Sequence, residues 1–305
     1  MTRVLCLFLV ISFFLFSQWC EIPYADDSLH TGYESLIDKY HKIEKELEKS
    51  SLTIPFYLES SVSKKTSHVD IYGTIKYPFD IVKNELQLPT NWCDIVLLHS
   101  TVRASTYKKV NDTWLLTLYN VKKFQDPLKD AYQMKFEYRV IAHQPGFFAI
   151  SLAAREGIFS TKDHQFRLEA IPLDEDRTFI HLRYSYRYSR LVYFVMKSYF
   201  SIFGSGRVGF SVIGTDSDGH PVYVGGLRGA IEGNVLRYYL TILAYMDTLK
   251  IPVEQRVEKR ISQWYDLTAR YKRQLFEMEK EAYLTSKRQD QESQLILQGA
   301  LNRYR

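Results

Sequence analysis

Apolar and polar residues alternate along much of the chain between residues 53 and 188, which predicts β-strands with one buried face. The clearest example is RTFIHLRYSYRYS at 177–189. Ile180 and Leu182 share one side of this strand with a run of tyrosines, whereas His181 and Arg183 share the other. Short polar breaks such as VND, QPG and LDED separate the strands. We therefore expect a meandering antiparallel sheet.

The neighbouring strands indicate which face of this sheet is buried. In MKFEYRV, at 134–140, the apolar residues share one side and the charged residues share the other. Charges of both signs facing each other across strands are typical of a solvated surface. We therefore predict that the tyrosine side, including Val140, faces inward. The outer set is Lys135, Glu137, Arg139, Arg167, Glu169, His181, Arg183 and Arg187. The apolar run at 95–109 is predicted to be one of the strands.

Helical spacing of apolar residues predicts helices before, between and after the strands. The segment at 226–249 is apolar around nearly its whole circumference, which predicts a helix that covers the inner face of the sheet. Its Arg228 and Glu232 are spaced to form a structural ion pair, and Gly229 and Gly233 permit close approach. A final helix, predicted from Val253 to Arg288 with a frayed end after it, is expected to pack along another helix or along the domain, and the first helix, at 33–50, is the natural partner. A connecting helix is predicted at 190–203.

The N-terminus predicts export. Arg3 precedes an apolar run from Val4 to Phe16, which is typical of a secretory signal peptide and short for a membrane span. We predict a signal peptide at 1–25 that is cleaved near Ala25, and an uncleaved N-terminal anchor is the alternative. Of the three cysteines, Cys93 alone would remain, predicted as a buried thiol. Export without a disulfide favours the periplasm.

Composition narrows the function classes. Aromatic residues make up 15% of the 305 residues, and these rings suit sheets, cavity walls and interfaces. The net charge of +5 comes from basic residues interleaved with acidic ones, which does not favour nucleic-acid binding. TDSDG at 215–219 resembles the start of a calcium loop, but it lacks a third carboxylate before Gly219 and the distal Glu of that motif. It therefore predicts a hairpin turn. The sequence indicates no metal, no cofactor and none of the common catalytic motifs.

The order of these elements, with GTIKYPFDIV between the first strands and a short helix, resembles the START-like, helix-grip (SRPBCC-type) superfamily over residues 52–249. The resemblance implies an α+β fold in which a curved antiparallel sheet grips a long apolar helix. It also implies a cleft that holds lipids, sterols or polyketide-like molecules. An N-terminal helix at 26–51 and a long C-terminal amphipathic helix and tail at 250–305 would be additions to that domain.

Three functions are compatible with this pattern. The first is an exported envelope protein that binds a hydrophobic, lipid-like ligand. Its predicted site residues are Tyr184, Tyr186, Tyr188, Asn234, Arg237 and His99. The second is a cyclase or dehydratase that uses His99 or His164 as the base, since His143 and His181 fall on the outer side. The third is a scaffold that acts through its last helix. A membrane-surface contact and a helix-mediated protein partner are left open.

Overall fold

The computed structural model describes residues 32–48, 54–203 and 208–303. The predicted signal segment and its cleavage site lie outside these residues. The described chain is an α+β protein built on an eight-stranded curved sheet, as predicted. Among the described residues, no helix is both long enough and apolar enough to cross a membrane.

All neighbouring strands of the large sheet pair antiparallel, in the order β1-β2-β8-β7-β6-β5-β4-β3. The strands are β1 Phe56–Val62, β2 Thr66–Ile75, β3 Val102–Val110, β4 Thr113–Asn120, β5 Tyr132–Gln144, β6 Phe147–Glu156, β7 Lys162–Pro172 and β8 Thr178–Arg187. A separate hairpin comprises β9 Val208–Thr215 and β10 Pro221–Gly225. Its tip is the predicted turn, in which Asp216 Oδ1 accepts the backbone N–H groups of Asp218 and His220.

Eight helices are described. They are α1 Gly32–Glu48, α2 Phe79–Leu86, α3 Pro89–Leu97, α4 Arg190–Phe203, α5 Gly226–Met246, α6 Val253–Ala269, α7 Lys272–Leu275 and α8 Lys280–Arg303. The long apolar helix α5 lies against the inner face of the sheet, and most of its residues are buried. Gly73 of β2 allows Tyr239 of α5 to pack directly against the strand, because a Cβ atom at this position would overlap the Tyr239 hydroxyl.

The predicted inner face is confirmed. Ile180 and Leu182 are fully buried, and they belong to the main core together with Tyr186 and residues of α5. Val140, predicted on the same face, is instead exposed. The register of β5 against β6 shifts between Val140 and Ala142. Such a bulge changes which side chains face the core.

The outer face is not solvated throughout. His181 does point outward, as predicted, but it is buried between two carboxylates. Its Nε2 lies 2.7 Å from Asp70 Oδ1 and its Nδ1 lies 2.8 Å from Glu169 Oε2. Burial opposes protonation, but these two hydrogen bonds outweigh it and raise the pKa of His181. The prediction that Glu169 and His181 belong to a solvated surface is therefore wrong.

Helix α1 packs on this outer face and not along the last helix, so the predicted pairing of the two is wrong. Leu36, Ile43 and Leu47 of α1 form a second core with Tyr72 and Phe179, which point outward from β2 and β8. The apolar residues on the outer side of the sheet supply the partner that α1 needs to bury its stripe.

Two helix predictions need correction. The run at 95–109 was predicted as one strand, but residues 95–97 end α3, in which Pro89 occupies the first turn, and the strand begins only at Val102. The chain from 253 to 303 forms three helices rather than one, and α8 continues well past Arg288 to Arg303. The helix breaks at Tyr271, whose hydroxyl accepts the backbone N–H of Ile54 and donates to the carbonyl of Ile54. These contacts favour a turn over continued helix.

Helix α8 covers the edge strand β3. Gln294 Oε1 accepts the N–H of Ser105, and the Gln298 side chain bonds both the N–H and the carbonyl of Tyr107. The glutamine amides thus take the place that a further strand would occupy.

Candidate functional site

A cavity of about 240 Å³ lies between the sheet and α5, and α4 and the segment after α6 complete its wall. The lining residues from strands and loops include Thr101, Asn120, Met134, Thr161, His164, Tyr184 and Tyr186, and those from helices include Met196, Phe200, Ile231, Gly233, Asn234, Arg237 and Tyr238. Four of the predicted site residues, Tyr184, Tyr186, Asn234 and Arg237, therefore meet around one space.

The sheet wall of this cavity carries a histidine–tyrosine pair. His164 Nδ1 lies 2.7 Å from the Tyr184 hydroxyl, and His164 Nε2 lies 2.9 Å from Thr161 Oγ1. Gly157 makes room for the imidazole, because a Cβ atom at this position would overlap His164 Nε2. Burial lowers the pKa of His164 to about 4 and raises the pKa of Tyr184 well above its usual value. Both groups are neutral at pH 7.

The helix wall carries the predicted amide and cation, but the cation is already paired. Arg237 Nη2 lies 3.1 Å from Glu277 Oε1 and donates to the carbonyl of Leu275 at 3.2 Å. The Ser100 hydroxyl also donates to Glu277. Arg237 therefore presents an ion pair to the cavity together with Asn234, rather than a cation alone.

Sequence reasoning missed Glu277, Gln274 and Thr161, which also line the cavity. Glu277 and Gln274 come from the segment that was predicted as continuous helix, where their spacing gave them no special position. Thr161 follows a short 3₁₀ turn at 158–160. Contacts with residues far away in the chain, Arg237 and Ser100, bring Glu277 to the site.

His99 and Tyr188 lie beside the cavity, not in its wall. His99 is buried behind Tyr238, with ring centroids 4.3 Å apart, and its Nδ1 lies 3.1 Å from Thr101 Oγ1. Burial lowers the pKa of His99 to about 3. The Tyr188 hydroxyl lies 2.8 Å from the carbonyl oxygen of Ser63. These contacts hold both side chains outside the cavity wall.

Arg228 and Glu232 form the predicted ion pair, with Arg228 Nε 3.3 Å from Glu232 Oε1. Glu232 is fully buried, and its Oε2 accepts the backbone N–H groups of Phe210 and Ser211 at 2.7 and 2.9 Å. The carboxylate thus fixes β9 to α5. An added Cβ at Gly229 would come within 2.8 Å of the amide nitrogen of Gly209, so this glycine permits the same close packing.

Other reactive groups lie elsewhere. Cys93 is buried as predicted, and burial raises its pKa to about 12. Among the described residues, the one group spaced to hold a metal ion is exposed Asp216, Asp218 and His220, whose ligand atoms lie within 4.8 Å of one another. The hydrogen bonds of the hairpin turn account for this arrangement.

No protein-family model matches this chain, and no curated protein sequence matches it. Solved structures with some likeness include a norcoclaurine synthase from Thalictrum flavum (12% identity, TM-score 0.34, 45% of this chain and 86% of that one). Others are major latex-like protein 151 from Panax ginseng (9%, 0.35, 61% and 99%) and the lipid transfer and protein localization domain of human StarD13 (13%, 0.32, 52% and 86%).

Likeness at this level carries no argument about activity. The fold itself rests on the topology of the described chain, in which two short helices, α2 and α3, connect β2 to β3 and the antiparallel sheet holds a long buried helix against its inner face. The described chain therefore has the START-like, helix-grip fold.

Proposed function

We propose that this protein binds a small, largely apolar molecule in the cavity between the sheet and α5. The observation that supports the proposal is the mixed lining. Apolar side chains such as Met134, Ile231 and Phe200 share the cavity with the His164–Tyr184 and Arg237–Glu277 pairs. A concave, mostly apolar space with a few convergent polar groups is the usual form of a small-molecule site.

The size and charge of the cavity narrow the ligand class. Its volume of about 240 Å³ is slightly below the usual range of about 300–1,000 Å³ for such sites. A compact ring system fits this space better than a whole two-chain lipid. Because Glu277 already neutralises Arg237, a hydroxyl or carbonyl group suits the polar end better than an anionic head group.

The test uses prodan, a neutral naphthalene that carries a carbonyl group, together with mass spectrometry of compounds that co-purify with the full chain. Ala230 lines the cavity, so Ala230→Phe should fill it and abolish prodan binding. Ala282, an exposed alanine of α8, supplies the matched control, and Ala282→Phe should bind like the wild type. Equal binding by Ala230→Phe and the wild type would place the bound probe elsewhere and refute the proposal.

The His164–Tyr184 pair favours a second candidate, an enzyme of the cyclase or dehydratase kind. The Thr161 hydroxyl donates to the carbonyl of Ile158, so His164 Nε2 carries the imidazole proton and Nδ1 accepts the hydrogen of the Tyr184 hydroxyl. Tyr184 can then take a proton from a bound molecule while it passes its own proton to His164 Nδ1, so that the pair acts as one base. His164→Gln should then co-purify with a substrate where the wild type carries the product. Identical compounds in the two proteins would leave binding alone as the function.

Export is part of the proposal, because the signal-like segment at 1–25 suits a protein of the bacterial envelope. Intact-mass analysis of the protein from its own cells should show the loss of roughly the first 20 to 26 residues. A full-length chain in the membrane fraction would favour the uncleaved anchor. A full-length chain in the cytoplasm would rule out export.

A further inference from the structure

Helix α4 presents an apolar face to the outside. Leu191, Val195 and Phe194 are 74%, 60% and 53% exposed. In most surface helices the outward face is polar and only the inward stripe is apolar. The spacing of these residues by three and four places them on one side of α4. We call this set of Leu191, Phe194 and Val195 the outer stripe.

The opposite side of α4 closes the cavity. Met196 and Phe200 line it, and the Tyr193 ring stacks on that of Tyr188 with centroids 6.1 Å apart. The helix is thus apolar on both sides.

The mouth of the cavity continues the outer stripe. Phe159 lines the cavity and is also exposed, and its ring centroid lies 6.3 Å from that of Tyr199 on α4. Phe159 and Ser160 both have left-handed backbone conformations, with φ of 61° and 58°. This conformation is rare for a bulky residue and strains the backbone. The strained turn holds an aromatic ring at the mouth.

The charged residues within the sequence of α4 and directly before it are all basic. From Arg187 to Phe203 the chain carries Arg187, Arg190 and Lys197 and no acidic residue. Arg187 forms an exposed pair with Asp163, at 3.3 Å. Apolar side chains flanked by basic residues and tyrosines are the usual composition of a helix that lies in the surface of an anionic membrane.

We propose that α4 docks on an anionic lipid bilayer, with the outer stripe buried among the acyl chains and Arg190 and Lys197 at the head groups. Phe159 and Tyr199 then face the lipid, and an apolar ligand passes between bilayer and cavity without crossing water. The ligand-transfer step rests on the proposed function, but docking does not. A second copy is a poorer occupant, because a two-fold contact would bring together two copies of a segment whose sequence carries three basic residues and no acidic one.

Flotation with vesicles tests the docking. The full chain should bind phosphatidylcholine vesicles that contain phosphatidylglycerol, and salt should weaken the binding. Leu191→Ser/Val195→Ser should lose at least about tenfold in affinity. Leu295→Ser/Ile296→Ser, a matched change of exposed apolar residues on α8, should lose nothing. Arg190→Gln/Lys197→Gln should weaken binding to the anionic vesicles by about fivefold per charge.

Three results would overturn the proposal. They are unchanged vesicle binding by Leu191→Ser/Val195→Ser, equal loss in the α8 control, or a wild-type dimer that Leu191→Ser/Val195→Ser converts to a monomer. The last result would assign the outer stripe to a second copy. Ala230→Phe separates the two proposals, because it should keep vesicle binding while it loses prodan binding. Vesicle binding without any prodan binding in the wild type would refute the proposed function and leave docking intact.

Discussion

Gly229 and Gly233 lie four residues apart in α5, and changing each to Ala should alter stability in opposite directions. In a helix interior Ala is favoured over Gly by about 1 kcal/mol, and this gain applies at both positions. At Gly229 an added Cβ would stand 2.7 Å from the carbonyl oxygen of Val224 and 2.8 Å from the amide nitrogen of Gly209. Both are backbone atoms, which cannot rotate away as a side chain can.

The size of the effect follows from these distances. Overpacking that shifts backbone costs about 1–3 kcal/mol, so Gly229→Ala should be neutral to about 2 kcal/mol less stable than the wild type. At Gly233 the nearest atoms, Arg237 Nη1 and Leu275 Cδ2, are both 3.5 Å from the added Cβ, which is ordinary contact. Gly233→Ala should therefore gain up to about 1 kcal/mol.

Urea titrations followed by circular dichroism measure both free energies of unfolding, provided that the two variants share the wild-type m-value. The expected order of stability is Gly233→Ala, then wild type, then Gly229→Ala. Equal destabilisation by the two changes would mean that the space around α5 is not as described, and a more stable Gly229→Ala would refute the close packing of α5 against β9.

Three further predictions concern the sheet, the cavity and α8. Leu182→Ala should cost about 2–5 kcal/mol in a denaturant titration because Leu182 is fully buried, whereas exposed Arg183→Gln should cost within about 0.5 kcal/mol. Reversed magnitudes would contradict the face assignment. The pKa of His164 is about 4 in the folded protein, against an ordinary value of 6.5, so acidification through this window should remove about 3 kcal/mol of stability through this group, because only the unfolded chain takes up its proton. His164→Gln should reduce the fall by that amount and leave the part that His99 contributes, and an unchanged pH profile would mean that His164 is not buried as a neutral group. Lys287→Met should cost about 1–3 kcal/mol by leaving the Val102 carbonyl without its buried donor, and an unchanged unfolding midpoint would contradict this.

The faces of the sheet could be predicted from sequence because alternation is a local property of each strand. It correctly placed Tyr184 and Tyr186 inward and His181 outward, and the same kind of reasoning placed α4 at 190–203. It could not show that His181 is buried, because Asp70 comes from a neighbouring strand and lies 111 residues away in the chain. Burial by a distant partner leaves no local pattern.

The strand predicted at 95–109 and the single helix predicted from 253 to 288 were wrong because the local pattern does not contain the deciding information. The run at 95–109 is apolar enough for either a buried strand or a buried helix, and periodicity alone does not separate the two. The spacing that favoured one helix from 253 to 288 is real in α6, but the contacts of Tyr271 with Ile54 interrupt it. That interruption carries Glu277 to Arg237, so the polar end of the cavity depends on a contact that no local pattern could reveal.

The hydrogen bonds from the glutamines of α8 to β3 mean that loss of α8 would expose the edge of the sheet. A proteolytic cut between α6 and α8, followed by loss of the last helix, would uncover the N–H groups of Ser105 and Tyr107 on β3. A bare edge of this kind recruits strands from other molecules. We expect the clipped protein to self-associate through this edge of its sheet. Gln294 and Gln298 therefore protect the edge from strand addition.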